Sequence, residues 1–226
     1  MGGRNKVNQA SQPVAPRVEP TEAFLRQVKQ DGPRMGYNMT IGQSPQFIWF
    51  RNAKVATRTT LNVLDQAGVI YQTRHEFGLS YNPEDPDNYF KFAFVRNPWD
   101  RLVSAWLNKI IKPAGSGPKW YLTIEKDLED LVDFLDRKDF NNLDPHFRPQ
   151  VRNVPTERLD FLGHHESFEA DLDRVVAQLG FERPEAFEKK NSTHGRRHYR
   201  EYYTPALRDR VAKLYREDIE KFSYEF

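Results

Sequence analysis

The sequence predicts an α/β protein in three layers, with helices on both faces of a central, mostly parallel sheet. Two observations carry that prediction. Short β-rich apolar runs alternate along the chain with amphipathic stretches of helical period, and twice such a run passes through a brief polar turn straight into a helix. Length is the third: 226 residues suffice for one ordinary core with an appended arm and are too few for two substantial domains.

Residues 1–20 carry Pro13, Pro16 and Pro20 among small polar residues and read as a disordered or draped arm. Residues 21–44 read as a short helix with Phe24, Leu25 and Val28 at helical spacing, then a linker opened by Asp31, Gly32 and Pro33. The main domain is expected over 45–226. Its first strand is QFIWF at 46–50, followed by a polar loop and a helix from Thr57 whose Leu61 and Leu64 share a face and whose end is marked by Gly68. VIYQ at 69–72 is a second candidate strand. FKFAFV at 90–95 is a third and runs into a helix with Asn97 as N-cap and Pro98 in the first position. A strand near 159–163, a helix from Ser167 to Leu179 and a last helix from Pro205 to Tyr215 complete the pattern.

Composition removes several function classes. The formal net charge is +2, so no bulk polycationic surface draws nucleic acid, and any anion site is local. Cysteine is absent, which excludes disulfides, thiolate metal sites, iron–sulfur clusters and a cysteine nucleophile. No run approaches the roughly 18 apolar residues of a membrane span, and the first residues lack the apolar core of a signal peptide. A soluble, cytoplasmic protein is the expectation. Gly2 does not make a myristoylation site, because Lys6 stands where that motif takes Ser or Thr.

In a sheet of this kind ligands bind beyond the carboxyl ends of the strands, where helix N-termini present N–H groups. The turn Arg51-Asn52-Ala53-Lys54-Val55-Ala56-Thr57-Arg58-Thr59-Thr60 places an ammonium, backbone amides and hydroxyls at such a point, a cradle for one phosphate. The plainer reading makes Thr57 a helix cap and Lys54 a solvated cation. A Walker A loop is excluded, since the turn has no glycine and its Lys comes first rather than last. The second turn, Arg96-Asn97-Pro98-Trp99-Asp100-Arg101, leads into a helix with one apolar stripe (99, 102, 103, 106, 110) and one polar stripe (97, 101, 104, 108). Arg96 at the strand tip and Ser104 on the helix suit a second phosphate; a salt bridge from Arg96 to a carboxylate is the alternative.

Taken together, KVATRTT after the first strand and FVRNPWDRLVSAW later in the chain resemble the carbohydrate sulfotransferase family that includes the chondroitin and heparan sulfate 2-O enzymes. Asp144-Pro145-His146-Phe147-Arg148-Pro149-Gln150 is similar to that family's D-x-H-W-x-P-Q stretch. Leu159 to Gly163 with Glu166 and Asp171, and the closing Tyr215, Asp218, Phe222 and Tyr224, are similar to its later segments. The resemblance covers roughly residues 45–226 and implies a P-loop-like sulfotransferase fold. It implies the donor 3′-phosphoadenosine 5′-phosphosulfate (PAPS), the product 3′-phosphoadenosine 5′-phosphate (PAP), and no required metal. By matching position, Lys54 with Val55, Ala56, Thr57, Arg58, Thr59 and Thr60 binds the 5′-phosphosulfate, and Arg96 with Ser104 binds the 3′-phosphate. Arg58 departs from the family's usual small hydroxylic residue and either adds a phosphate contact or turns outward.

Sulfuryl transfer is an in-line displacement in which charge develops on the leaving phosphate oxygen, so a placed cation, here Lys54, is the first catalytic candidate. The acceptor hydroxyl also needs a base. His75 is similarly placed to a base histidine of the heparan sulfate 2-O branch, Glu76 is its neighbour, and His146 either meets the acceptor, supports the leaving group or stabilises its loop. His164 and His165 read as structural. Arg197, with Arg196, His198, Tyr199 and Arg200, either closes over the 3′-phosphate, meets an anionic acceptor or is a solvated charge run. Trp120 and Tyr121 either stack on an acceptor sugar or anchor packing. The implied acceptor is a hydroxyl, as on a carbohydrate. Rival readings are a nucleotide kinase or other NTPase, and a non-catalytic nucleotide- or glycan-binding protein.

Overall fold

The computed structural model describes residues 37–74, 89–112, 118–125, 127–139, 143–184 and 196–226. The arm at 1–20, the helix expected after Thr21, His75 and Glu76 all lie outside them. Strands β1 (Met39–Ser44), β2 (Gln46–Phe50), β3 (Ile70–Arg74), β4 (Phe90–Val95) and β5 (Phe161–His164) form one sheet in the order β3-β1-β2-β4-β5. β4 pairs in parallel with β2 and with β5, whereas β1 pairs antiparallel with β2 and β3. The sheet is therefore mixed rather than mostly parallel in its pairings. The difference comes from β1, which lies within the 21–44 stretch read as helix and linker, and which turns back through a cis Ser44–Pro45 bond into β2. Gly42 allows that hairpin to close, because a Cβ there would meet the Phe47 ring at 2.1 Å.

Period-two alternation gives the sheet two apolar faces. Phe47, Trp49, Phe92 and Phe94 face one side, where helices α1 (Thr57–Gln66) and α4 (Phe168–Gln178) cover them with Val63, Leu64, Leu172, Val175 and Val176. Ile48, Phe50, Ala93 and Val95 face the other, under Val154 and under Phe222 of α6 (Arg216–Phe222). A third cluster joins α2 (Pro98–Trp106), α3 (Leu128–Asp136) and α5 (Pro205–Leu214) around Trp99, Leu131, Phe147 and Tyr215. Helices thus lie on both faces, as expected. Trp120 stacks on Phe134 at 4.6 Å and Tyr121 is buried against Phe147, so this aromatic pair anchors packing. No helix among the described residues is long and apolar enough to cross a membrane.

Candidate active site

Parallel pairing of β2, β4 and β5 brings three turns to one edge of the sheet: those after Phe50, Val95 and His164. In the first, Lys54 and Ala56 have φ of 70° and 62°, in the left-handed region that costs a non-glycine residue roughly 1 kcal/mol or more. Those two residues bend the backbone around the start of α1. Ala56 is the N-cap and has no side-chain cap bond, so the reading of Thr57 as a capping residue fails. The Thr57 hydroxyl instead donates back to the Asn52 carbonyl at 3.1 Å, and that of Thr60 to the Ala56 carbonyl at 3.4 Å. Thr59 is buried, Arg58 is exposed, and the Val55 side chain is in the core, leaving only its backbone to face a ligand. Burial, with the cations Arg96, Lys109, Arg58 and Arg196 around it, pushes the Lys54 ammonium down to about 8.

Arg96 links the first two turns. Its Nη1 donates to the Lys54 carbonyl at 3.0 Å, while its Nε and Nη2 both reach Asp100 Oδ2 at 2.7 Å. The salt-bridge alternative for Arg96 is realised alongside the cluster, with a partner one helical turn away. Arg196 takes the other Asp100 oxygen and also donates to the Asp100 carbonyl at 3.3 Å. Burial alone raises the Asp100 carboxyl, but the two guanidinium groups outweigh it and hold the group below its usual range. Ser104 stands one turn along the same face of α2 as Asp100. A cleft of about 510 Å³ opens here, lined by Arg96, Asp100, His165, Arg196, Arg197 and Tyr199 among others. Lys54 and Ser104 lie outside that lining. Arg197 stacks over the Tyr202 ring at 4.7 Å, and the Nε of Arg196 is buried without a hydrogen-bond partner among the described residues.

Two buried side chains lock this edge together. Gln150 accepts from Asn52 Nδ2 at 2.7 Å and from the Arg96 amide at 2.9 Å, and donates to the Arg96 carbonyl at 2.7 Å. Its own amide and that of Val151 donate to Asp218 of α6 at 2.8 and 3.0 Å. Arg101, 1% exposed, donates to the carbonyls of Ala53 (3.1 Å), Arg148 (3.0 Å) and Pro145 (2.7 Å). Those two residues hold the Lys54 turn, the Arg96 turn and the 144–150 stretch in fixed relation. In that stretch His146 Nδ1 lies 2.6 Å from Asp144 Oδ1.

The sequence reading missed Asp100 and treated His165 as structural. His165 faces the cleft, where burial, aided by Arg96 and opposed by Asp100, pushes its imidazole down to about 4 and leaves it neutral at pH 7. Its place directly after a strand at the carboxyl edge was the signal available. Glu166 Oε1 accepts from the Asn97 amide at 2.7 Å, and its Oε2 accepts from the Tyr224 hydroxyl at 3.1 Å. Ligand atoms of Asp100, His165 and Glu166 lie within 4.8 Å of one another, yet both Asp100 oxygens already serve guanidinium groups. The arrangement suits an anionic ligand better than a cation.

The model of the sulfotransferase family matches residues 37–225. The chain is 29% identical to carbohydrate sulfotransferase 14 of Homo sapiens over 154 residues, which is 55% of this chain and 40% of that protein. It is equally 29% identical to the Mus musculus protein of the same name over 153 residues, 57% of this chain and 40% of that one. An uncharacterized protein of Archaeoglobus fulgidus is 27% identical over 118 residues, 50% of this chain and 85% of that one. The match therefore spans about 40% of the length of the two carbohydrate sulfotransferases. No solved structure matches the chain.

Proposed function

The chain belongs to the sulfotransferase family, and from that premise we propose that it moves a sulfuryl group from PAPS to an acceptor hydroxyl, most simply that of a carbohydrate. The observation that carries the reading is the joining of two cationic turns, through the 3.0 Å bond from Arg96 to the Lys54 carbonyl, beside a cleft that also holds Arg196 and Arg197. The relatives named carbohydrate sulfotransferase support the choice of acceptor. A nucleotide with phosphates at both ends of its ribose fits two such turns. The Nε of Arg196 adds a donor that has no partner among the described residues.

In this reading residues 54–60 hold the 5′ end of the donor, with backbone amides at the start of α1 and the Lys54 ammonium directed at the phosphate oxygen on which charge develops. Arg96, Ser104, Arg196 and Arg197 hold the 3′-phosphate. Asp100 holds the guanidinium groups of Arg96 and Arg196 on its two oxygens, and it shares them with the ligand when it binds. The donor supplies the sulfuryl group and leaves as PAP. The base that receives the acceptor proton comes from His75, Glu76 and His146.

The test is titration of an Arg96→Ala variant with PAP. Loss of charge-assisted bonds worth about 1.5–3 kcal/mol each weakens binding by at least tenfold. Unchanged PAP affinity in a variant that still melts cooperatively contradicts the assignment.

A further inference from the structure

We propose that Asp144 and His146 form a base dyad for the transfer, with His146 Nε2 receiving the acceptor proton and Asp144 acting as the positioning residue that fixes the ring. The inference rests on the sulfuryl-transfer reading above and selects among its candidate bases.

The geometry defines the tautomer. Asp144 Oδ1 lies 2.6 Å from His146 Nδ1 and also accepts the His146 backbone N–H at 2.9 Å, so one oxygen fixes both ring and backbone. An ionised carboxylate only accepts, which places the imidazole proton on Nδ1 and leaves the Nε2 lone pair free to take another. Asp144 is ionised at neutral pH: burial opposes this, but its bonds from His146 hold it below the usual carboxylate range. The His146 side chain is 29% exposed, enough for a hydroxyl to reach its edge.

Position ties this dyad to the donor site. Arg101 donates to the carbonyl of Ala53, directly before Lys54, and to that of Pro145, directly before His146. A single buried guanidinium thus fixes the backbone beside the leaving-group cation and the backbone beside the base. Lys109 acts on both sites, lowering Lys54 and His146 alike. Among the other described histidines, His164 Nδ1 is engaged with the Tyr224 hydroxyl at 3.0 Å, His198 Nδ1 accepts from the Arg200 amide at 3.4 Å, and His165 faces the arginine cleft instead.

The step balances without a further reactant. As the acceptor oxygen uses a lone pair to form the O–S bond, its proton passes to His146 Nε2. The S–O bond to the leaving phosphate breaks, and its electron pair stays on that phosphate next to Lys54. The imidazolium is stabilised by Asp144 and opposed by burial, Lys109 and Arg101, so it releases the proton readily once product departs.

Two variants and two readouts test the dyad in the full chain. His146→Gln is expected to keep PAP affinity within about twofold and to lower PAPS turnover by about 10²-fold or more, measured with desulfated chondroitin and with water as acceptors. Asp144→Asn keeps an acceptor for the His146 amide but removes the charge. It is expected to lower turnover tenfold or more and to move the ascending limb of the pH–rate profile to lower pH, because the lost carboxylate had favoured the imidazolium. Nitrogen-15 NMR of the His146 ring needs no acceptor: the Nδ1–H form dominates in the parent and becomes mixed in Asp144→Asn. Full turnover in His146→Gln, or a ring that is Nε2-protonated in the parent, overturns the dyad while PAP binding leaves the transfer reading standing. A parent protein that neither binds PAP nor turns over PAPS overturns that reading itself, and the dyad with it.

Discussion

Lys54 sits where its own charge is destabilising. Its folded pKa of about 8 lies below that of an exposed lysine, so below pH 8 the native state carries a proton it holds less well than the unfolded chain does. The penalty is full at neutral pH and fades as pH rises from about 8 toward the unfolded value, where the unfolded chain binds more protons and stability climbs. Lys54→Met is therefore expected to stabilise the protein at pH 7 by about 1–3 kcal/mol, to lose that advantage above about pH 10, and to weaken PAP binding. Thermal melts across pH check the first part and calorimetry the second. His165 gives a dependence of the same sign in a more acidic window. Its depressed pKa lets the unfolded chain take up a proton first, so stability falls as pH drops from about 6.5 toward 4. His165→Gln is expected to flatten that part of the stability curve; an unchanged slope contradicts the placement of His165 beside Arg96.

Arg101 acts at the scale of elements, since from α2 it holds the backbone of two loops, the one after β2 and the 144–148 stretch. A lysine cannot span carbonyls of Ala53, Pro145 and Arg148 at once. Arg101→Lys is expected to cost about 3 kcal/mol in denaturant unfolding and to weaken PAP binding although residue 101 touches no ligand. Retained stability in that variant contradicts the latch. The same scale shows what was legible in the sequence. β2, β4, α1 and α2 were, because aromatic runs and capped amphipathic stretches declare themselves locally. β1 was not, because Thr40, Gly42 and Gln43 interrupt its apolar pattern and its hairpin depends on Phe47 filling the space over Gly42. Helix α3 was readable from Leu128, Leu131, Val132 and Leu135 at helical spacing, although it lies apart from the two strand-to-helix turns. Tyr215, which ends α5, hid the short α6 behind it. In the site, Lys54 and Arg96 were legible as cations at strand ends. The pairing of Asp100 with Arg196 and the bonds of Gln150 to Asn52, 98 residues away, were not, because only the fold brings such partners together.

For the molecule as a whole, a net charge of +2 conceals a concentrated field in which Lys54, Arg58, Arg96, Lys109 and Arg196 converge on one sheet edge. On the proposed reading this cluster holds a small, highly charged anion, and binding there is expected to weaken as salt screens the cluster. On the proposed reading this edge recognises two separate phosphates on one nucleotide. The most direct measurement is calorimetric titration of the full chain with PAP, alongside adenosine 5′-phosphate and ATP with magnesium. Micromolar PAP binding that weakens at least tenfold when the 3′-phosphate is missing is the predicted result. Equal affinity for adenosine 5′-phosphate, or preference for ATP with magnesium, contradicts the account.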